Sequence, residues 1–248
     1  MIQDYTVVDL ETTGLSPRTD KIIEIGAVKV RNGKVADTFD MFINPGRALP
    51  PRITELTGIH DEDVENEPYI EEIFPKFVAF AGDDVLLGHN ITFDYSFLKK
   101  AALNQKINFE RETMDTLKIA RRFLVDLESK SLGFLCQHYN IPINAHRAIG
   151  DALATHELYQ KLLETYGENE DATLTPRKLN CRMKKETPIT PRQKSYIQGL
   201  ARQYQLEIMD DHILAPVEGI TAEAIDIEHM SKNEASRMID YILTRYRH

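Results

Sequence analysis

Acidic side chains occur where three apolar segments of the chain begin or end. Asp9 and Glu11 close the segment DYTVVDLE, Asp94 follows the run VLLG, and Asp151 precedes the run ALATHEL. Because side chains alternate along a strand, Asp9 and Glu11 would lie on one face as neighbours. Adjacent carboxylates repel each other unless a cation separates them, and such oxygen ligands favour Mg²⁺ or Mn²⁺. The pattern therefore indicates metal-dependent chemistry.

Taken alone, each acidic residue also has a simpler interpretation. Asp9 and Glu11 could begin a solvated loop through the turn-forming Thr12-Thr13-Gly14. Asp94 and Asp151 could stabilise helix starts, where a carboxylate interacts favourably with the helix dipole. The chemical interpretation therefore requires that these side chains converge in the fold.

Periodic patterns indicate the elements that would position the acidic residues. The predicted strands are residues 4–10, 22–30, 34–43, 84–87 and about 113–116, with a hairpin turn at Asn32-Gly33. The predicted helices, which have apolar residues at three- and four-residue spacing, are about 69–80, 93–103, 132–139 and 152–166. Three strands followed by alternating strands and helices predict an α/β fold with a mixed sheet flanked by helices.

The acidic residues also occur in a familiar order of motifs. The segments VVDLETTGL, HNITFD and HRAIGD resemble the three motifs of the DEDD exonucleases, in the subgroup with a histidine in the third motif (DEDDh). This subgroup is typified by the proofreading subunit of bacterial replicative polymerase. The resemblance spans residues 4 to about 166 and includes ITELTGI, TMDTL and SLGFLCQHYNI in the family's order. It implies a ribonuclease H-like fold and hydrolysis of nucleic acid from the 3′ end.

The resemblance also implies roles for individual residues. Asp9, Glu11 and Asp151 would hold one divalent cation, Asp9 and Asp94 a second, and neutral His146 would be the general base. The implied substrate-binding residues are Thr12, Thr13, Gly14, Leu15, Ile59, His60 and Phe93. For Phe93, packing in the core is an equally good interpretation. Asp115 matches a further family position, where a capping or orienting role is expected.

The sequence divides at the end of the resemblance. Residues 1–166 form the predicted exonuclease domain, and residues 167–188 form a linker that changes from acidic to basic. Capping boxes at Thr190–Gln193 and Ser231–Glu234 predict two helices of a small helical module at 189–248. Seven basic residues against one acidic residue between 177 and 194 could follow a phosphate backbone. A solvated linker is an equally good interpretation of this basic segment, so binding of nucleic acid or a partner is one possible role of the module.

Composition limits the cellular context. The two cysteines, Cys136 and Cys181, lack metal-binding spacing, and no signal peptide or long apolar run is evident. These features predict a cytoplasmic protein with reduced thiols and no membrane partner. The net charge of −9 disfavours binding of nucleic acid through overall charge, so cations between carboxylates and phosphate are needed.

Three functions are consistent with the sequence. The first is a DNA 3′ exonuclease in proofreading or repair, with a DNA polymerase or repair protein as a possible partner. The second is an RNA-trimming exonuclease, because the motifs do not reveal how the site treats a 2′-hydroxyl. The third is a non-catalytic adaptor that binds a polymerase or nucleic acid. Loss of a metal ligand would favour the adaptor, but all five catalytic positions are filled.

Overall fold

The computed structural model describes residues 2–143, 147–204, 206, 208–209, 212–217, 220–228 and 230–246, so His146 lies outside the described residues. The strands are β1 (Tyr5–Thr12), β2 (Ile22–Arg31), β3 (Lys34–Phe42), β4 (Leu86–Gly88), β5 (Glu112–Asp115), β6 (Arg177–Lys178), β7 (Ile208–Met209), β8 (His212–Val217) and β9 (Ile220–Asp226). The α-helices are α1 (Pro51–Thr57), α2 (Asp61–Val64), α3 (Ile70–Ala81), α4 (Thr92–Gln105), α5 (Thr116–Phe123), α6 (Leu132–Tyr139), α7 (Ala148–Tyr166), α8 (Pro191–Gln203) and α9 (Lys232–Tyr246). None of the helices in the described ranges has the length and apolar character needed to cross a lipid bilayer.

The central sheet is mixed, as the sequence predicts. Its strand order is β3-β2-β1-β4-β5-β6. β1 is antiparallel to β2 and parallel to β4, and β4 is parallel to β5. Asn32 and Gly33 connect β2 to β3 with φ values of 52° and 72°, the left-handed conformation that a tight hairpin turn requires. The predicted hairpin is therefore confirmed.

Strand β1 is buried on both faces of this sheet. Tyr5 and Val7 belong to an apolar cluster that includes residues of α5, α6 and α7. Val8 and Leu10 alternate with them and belong to a second cluster, which includes residues of α3 and α4. As a result, α4 and α7 approach β1 from opposite sides. The last residues of β1 lie where elements from both faces can reach them.

The C-terminal module combines helices with strands. Both predicted capping boxes form, because Thr190 Oγ1 accepts from the Gln193 amide at 3.2 Å and Ser231 Oγ accepts from the Glu234 amide at 3.3 Å. A three-stranded antiparallel sheet, β7-β8-β9, lies between α8 and α9 in the chain. The prediction of a helical module missed this sheet, since the short runs HILAPV and ITAEAID alternate too weakly to indicate strands.

The predicted linker is partly built into the exonuclease domain. Arg177 and Lys178 form β6, which pairs with β5 at the edge of the central sheet. Leu174 is buried in the cluster beside α7, and Leu179 packs against the opposite cluster. The chain therefore follows the surface of the exonuclease domain before it enters α8.

Gly26 brings α7 unusually close to the sheet. It lies on β2 opposite Asp9, and a Cβ atom at this position would lie 2.1 Å from the Ala148 carbonyl carbon and 2.2 Å from the Ile149 nitrogen. These are backbone atoms, so the first turn of α7 must move to make room. We expect Gly26→Ala to lower the free energy of unfolding by about 1–3 kcal/mol, measured by urea denaturation.

A matched control is available in Gly133 of α6. No atom lies within 4 Å of a Cβ added there, and alanine in an exposed helix is favoured over glycine by about 1 kcal/mol. Gly133→Ala should therefore leave stability unchanged or increase it. A Gly26→Ala protein as stable as the wild type would show that the backbone of α7 is not in close contact with β2 at Gly26.

Candidate active site

Three carboxylates converge at the C-terminal end of β1. One oxygen atom from each of Asp9, Glu11 and Asp151 can be chosen so that all three lie within 4.8 Å of one another. Asp9 and Glu11 share the face of β1 that packs against α7, and Asp151 belongs to the first turn of that helix. The sequence analysis began this helix at residue 152, but it begins at Ala148, so Asp151 lies within the helix.

Asp94 reaches the same strand end from the opposite face of the sheet. It lies in the first turn of α4 and is 4% exposed. Its Oδ1 atom accepts a hydrogen bond from the Leu10 amide at 3.1 Å. Since Leu10 lies between Asp9 and Glu11 in the chain, this bond ties the fourth predicted carboxylate to the backbone that carries the first two.

The carboxylates perturb one another strongly. Burial, followed by repulsion from Asp94, Asp151 and Glu11, raises the pKa of Asp9 well above its ordinary value. Burial and repulsion from Asp151 raise the pKa of Glu11 to about 7. Burial also raises the pKa of Asp94, although the hydrogen bond from Leu10 opposes the shift. Closely spaced oxygen donors that hold excess negative charge fit a hard divalent cation.

An ion pair between a buried glutamate and a partly exposed arginine fixes the start of α7. Glu24 of β2 is fully buried opposite Glu11, and its Oε1 atom accepts bonds from Arg147 Nε at 3.1 Å and Nη2 at 3.0 Å. Its Oε2 atom accepts from the Ala148 amide at 3.1 Å. This pair is not among the residues predicted from the sequence. The available signal was a single charged residue inside the apolar segment IIEIGAV, together with an arginine directly after His146.

The loop after β1 holds the next predicted residues in an ordered arrangement. Thr12 Oγ1 donates to the Gly14 carbonyl at 2.7 Å, and Thr13 Oγ1 accepts from Arg47 Nη2 at 2.8 Å. A Cβ atom on Gly14 would lie 2.5 Å from the Asp20 carboxylate. Leu15 is 83% exposed. Thr12, Thr13 and Gly14 are buried, so among these four residues the loop exposes the apolar side chain of Leu15.

The remaining predicted substrate residues differ in accessibility. Ile59 is 1% exposed and packs with Ile23 and Ile53, so its side chain lies in the core and cannot contact a nucleotide in this conformation. His60 is exposed and precedes α2 as its capping residue. Phe93 is half-buried, with its ring 5.1 Å from that of Phe97. His60 and Phe93 retain access to solvent.

Asp115 caps α5 and supports the second motif, and besides burial its charge also contributes to the raised pKa of Asp94. Its Oδ1 atom accepts hydrogen bonds from the Leu117 amide at 3.0 Å and the Lys118 amide at 3.4 Å, which caps α5. The same oxygen accepts from the Asn90 amide at 3.0 Å. The predicted capping and orienting role of Asp115 is therefore confirmed.

A mixed sheet with helices on both faces and acidic residues at the end of an inner strand defines a nuclease of ribonuclease H-like fold. The sequence profile of the RNase T exonuclease family matches residues 6–159, which include all four carboxylates. The chain belongs to this exonuclease family.

Polymerases of bacteria contain similar sequences. The chain is 43% identical over 166 residues to the DNA polymerase III PolC-type of Caldanaerobacter subterraneus subsp. tengcongensis. The matched region covers 66% of this chain and 12% of that protein. It is also 39% identical over 191 residues to the PolC-type polymerase of Clostridium perfringens. This matched region covers 75% of this chain and 13% of that protein. The chain therefore corresponds to a small part of these much longer relatives.

Solved exonucleases share the fold. Exonuclease X in complex with 5′ overhanging duplex DNA has a TM-score of 0.54 and 25% identity, covering 66% of this chain and 94% of that chain. The nuclease domain of 3′hExo, a DEDDh family member bound to rAMP, has a TM-score of 0.58 and 17% identity, covering 71% of this chain and 98% of that chain. The second likeness concerns the fold alone.

The raised pKa of Glu11 predicts that a divalent cation stabilises the protein most at neutral and higher pH. The pKa of Glu11 is 4.5 ordinarily and about 7 in the fold. The stability that its protonated form contributes is therefore fully present below pH 4.5 and is lost as the pH rises through about 7. A bound cation replaces the proton and removes this loss. We expect Mn²⁺ to raise Tm, relative to EDTA, more at about pH 8 than at about pH 5.

The Glu11→Gln variant serves as the control for this measurement. It lacks the titrating group, so the metal-free protein should lose less stability across the same pH range. Equal increases in Tm at both pH values in the wild type would argue against a cation among these carboxylates.

Proposed function

We propose that this chain is a 3′ to 5′ exonuclease that hydrolyses terminal phosphodiesters of DNA and releases nucleoside 5′-monophosphates. Single-stranded or frayed ends are the proposed substrates, and proofreading or repair is the proposed role. The observation that carries the proposal is the convergence of Asp9, Glu11 and Asp151 at one end of β1, with Asp94 bonded to the same strand. Membership of the exonuclease family supports the reaction class.

The carboxylates would hold two Mg²⁺ or Mn²⁺ ions. Asp9, Glu11 and Asp151 would bind one ion and Asp9 with Asp94 the second; such ions lower the pKa of a bound water and stabilise charge on the leaving oxygen. The protein's own contribution is to fix the ligands. The Leu10 amide orients Asp94, and the Glu24–Arg147 pair holds the helix that carries Asp151.

His146 is the proposed general base. It lies outside the described residues and directly precedes Arg147, whose guanidinium is anchored to Glu24. A neutral imidazole here would take the proton from the attacking water. Because a peptide bond joins His146 to Arg147, the anchoring of Arg147 by Glu24 is the feature that supports this role.

The exposed part of the loop after β1 would position the 3′-terminal nucleotide. Exposed Leu15 offers an apolar surface to the terminal base, and Gly14, buried beside the Asp20 carboxylate, would help to shape the loop that carries it. Phe93 and His60 could extend this surface, because an aromatic ring stacks on any base. Contacts of this kind carry little sequence preference, as expected for an enzyme that shortens many different ends.

DNA is favoured over RNA as the substrate. The most similar polymerase sequences described above belong to DNA polymerases, and Exonuclease X was solved with DNA. RNA remains the second candidate because a structural neighbour recognises a histone mRNA stem-loop, although that likeness concerns the fold alone at 15% identity. A DNA polymerase is the proposed partner, since the PolC-type relatives contain a similar segment.

The proposal is tested with 5′-labelled single-stranded DNA and RNA of identical sequence. We expect a ladder that shortens from the 3′ end with Mg²⁺ or Mn²⁺ and no cleavage in EDTA, with faster shortening of DNA. Asp9→Asn should abolish the ladder, whereas Lys34→Gln, on the distant β2–β3 hairpin, should not change it. Intact substrates under all metal conditions would refute the proposed function.

Replacement of His146 tests the general base separately. We expect His146→Ala to lower kcat by about 10²- to 10⁴-fold with a small change in KM. Wild-type kcat should fall as the pH drops below about 6.5, because the imidazole becomes protonated and can no longer accept a proton. A wild-type rate that is constant between about pH 5.5 and 8 would exclude His146 from this role.

A further inference from the structure

A basic groove lies between the exonuclease domain and the C-terminal module. Its volume is about 400 Å³. The exonuclease domain contributes Arg18 and Lys100, the segment before α8 contributes Arg182, Lys184 and Lys185, and α9 contributes Lys232. Glu186 is the one acidic residue among the described residues of the lining. The groove thus concentrates positive charge in a chain whose net charge is −9.

Ion pairs next to the groove connect α9 of the C-terminal module to the exonuclease domain. Glu234 of α9 lies 3.5 Å from Lys21 Nζ and 3.7 Å from Arg47 Nη1, both in the exonuclease domain. Burial works to raise the pKa of Glu234, but Lys21, the Ser231 hydrogen bonds and Arg47 outweigh it, so the pKa lies below its ordinary value. Glu234 is therefore a carboxylate at neutral pH and can pair with both cations.

A second contact fixes the segment that forms the floor of the groove. Glu186 lies 3.2 Å from Lys100 Nζ, and its backbone amide donates to Asn104 Oδ1 at 3.0 Å. Both partners belong to α4. The basic segment from Arg182 to Lys185 is thereby held along the exonuclease domain.

Most of the cations in the groove have no anionic partner within the part of the chain that the structure describes. Lys100 is paired with Glu186, but Arg18, Arg182, Lys184, Lys185 and Lys232 form no ion pair with another described residue. Cations grouped in this way attract a polyanion and release its counterions when it binds. A single nucleic-acid strand, with one phosphate for each nucleotide, matches several such cations in a row.

The groove begins beside the candidate active site. Arg18 belongs to the same loop as Leu15, and Arg47, which faces Glu234, also donates to Thr13 Oγ1 at 2.8 Å. Lys100 follows Asp94 by six residues in α4, which corresponds to about 9 Å along the helix axis. A strand whose 3′ end lies at the carboxylates can therefore enter the groove within a few nucleotides.

We propose that this groove binds the phosphates of the substrate strand on the 5′ side of the bond that is cut. This inference rests on the proposed exonuclease function and adds a strand-binding site that requires the C-terminal module. The ligand is single-stranded nucleic acid, because the proposed substrate is a single-stranded or frayed end and one strand supplies one phosphate for each nucleotide. The groove increases affinity for a strand without taking part in hydrolysis.

The test compares a long substrate with one too small to reach the groove. The variant Arg182→Gln/Lys185→Gln neutralises two exposed cations. We expect kcat/KM for a labelled strand of about twenty nucleotides to fall about tenfold, while kcat/KM for the p-nitrophenyl ester of thymidine 5′-monophosphate changes less than about twofold. The slope of log kcat/KM against log salt should become shallower by about 1.4, or about 0.7 for each lost contact.

The control variant is Lys34→Gln/Lys161→Gln, which removes the same charge at positions far from the groove. Lys34 lies at the hairpin end of the sheet, and Lys161 lies about 15 Å along α7 from Asp151. This variant should retain the wild-type rate and salt slope with the long strand.

The outcomes separate this inference from the proposed function. If the wild type cleaves neither substrate with Mg²⁺ or Mn²⁺, the exonuclease function fails. If the wild type shortens the strand but the Arg182→Gln/Lys185→Gln variant keeps its rate and salt slope, the groove proposal is overturned. Equal losses on both substrates would also overturn it, since the groove would then affect the chemical step.

Discussion

Repulsion among carboxylates at the end of β1 is the constraint on which the site depends. One oxygen atom from each of Asp9, Glu11 and Asp151 lies within 4.8 Å of the others, and burial followed by repulsion between these like charges raises the pKa of Asp9 and of Glu11. Burial of β1 in apolar clusters on both faces supplies the opposing stabilisation. The acidic end of the strand is tolerated because the rest of that strand is core. A divalent cation would relieve the repulsion without any change in this packing.

Backbone contacts determine where the carboxylates lie. Gly26 lets the first turn of α7 rest directly on β2, and the fully buried Glu24 bonds Arg147 and the Ala148 amide at the same place. Loss of Arg147 would leave the charge of the fully buried Glu24 uncompensated and destabilise the fold, although the partly exposed arginine makes the cost smaller than for a fully buried pair. The pair therefore fixes the position of α7 at a place where a small shift would separate Asp151 from β1. Precision at the site comes from these contacts rather than from the acidic residues themselves.

The sequence predicted the features that local patterns encode. Strand alternation placed Asp9 and Glu11 on one face, Asn32-Gly33 marked the hairpin, and motif order indicated the exonuclease fold. The Glu24–Arg147 pair could not be found in this way, because its partners are 123 residues apart and meet only in the folded sheet. Burial of Ile59 was missed for the same reason, since ITELTGI as a motif does not reveal which side chains face the core. Periodicity reports local structure, whereas these details depend on tertiary contacts.

The distribution of charge reconciles an acidic chain with a polyanionic substrate. The catalytic end of β1 is negative, and any phosphate that approaches it alone is repelled. Arg47 lies between this region and the module, because it bonds Thr13 in the loop after β1 and faces Glu234 of α9. Movement of the module would therefore disturb the loop that borders the carboxylates. This arginine therefore links the module to the loop beside the site, although Asp9, Glu11, Asp94 and Asp151 all lie outside the module.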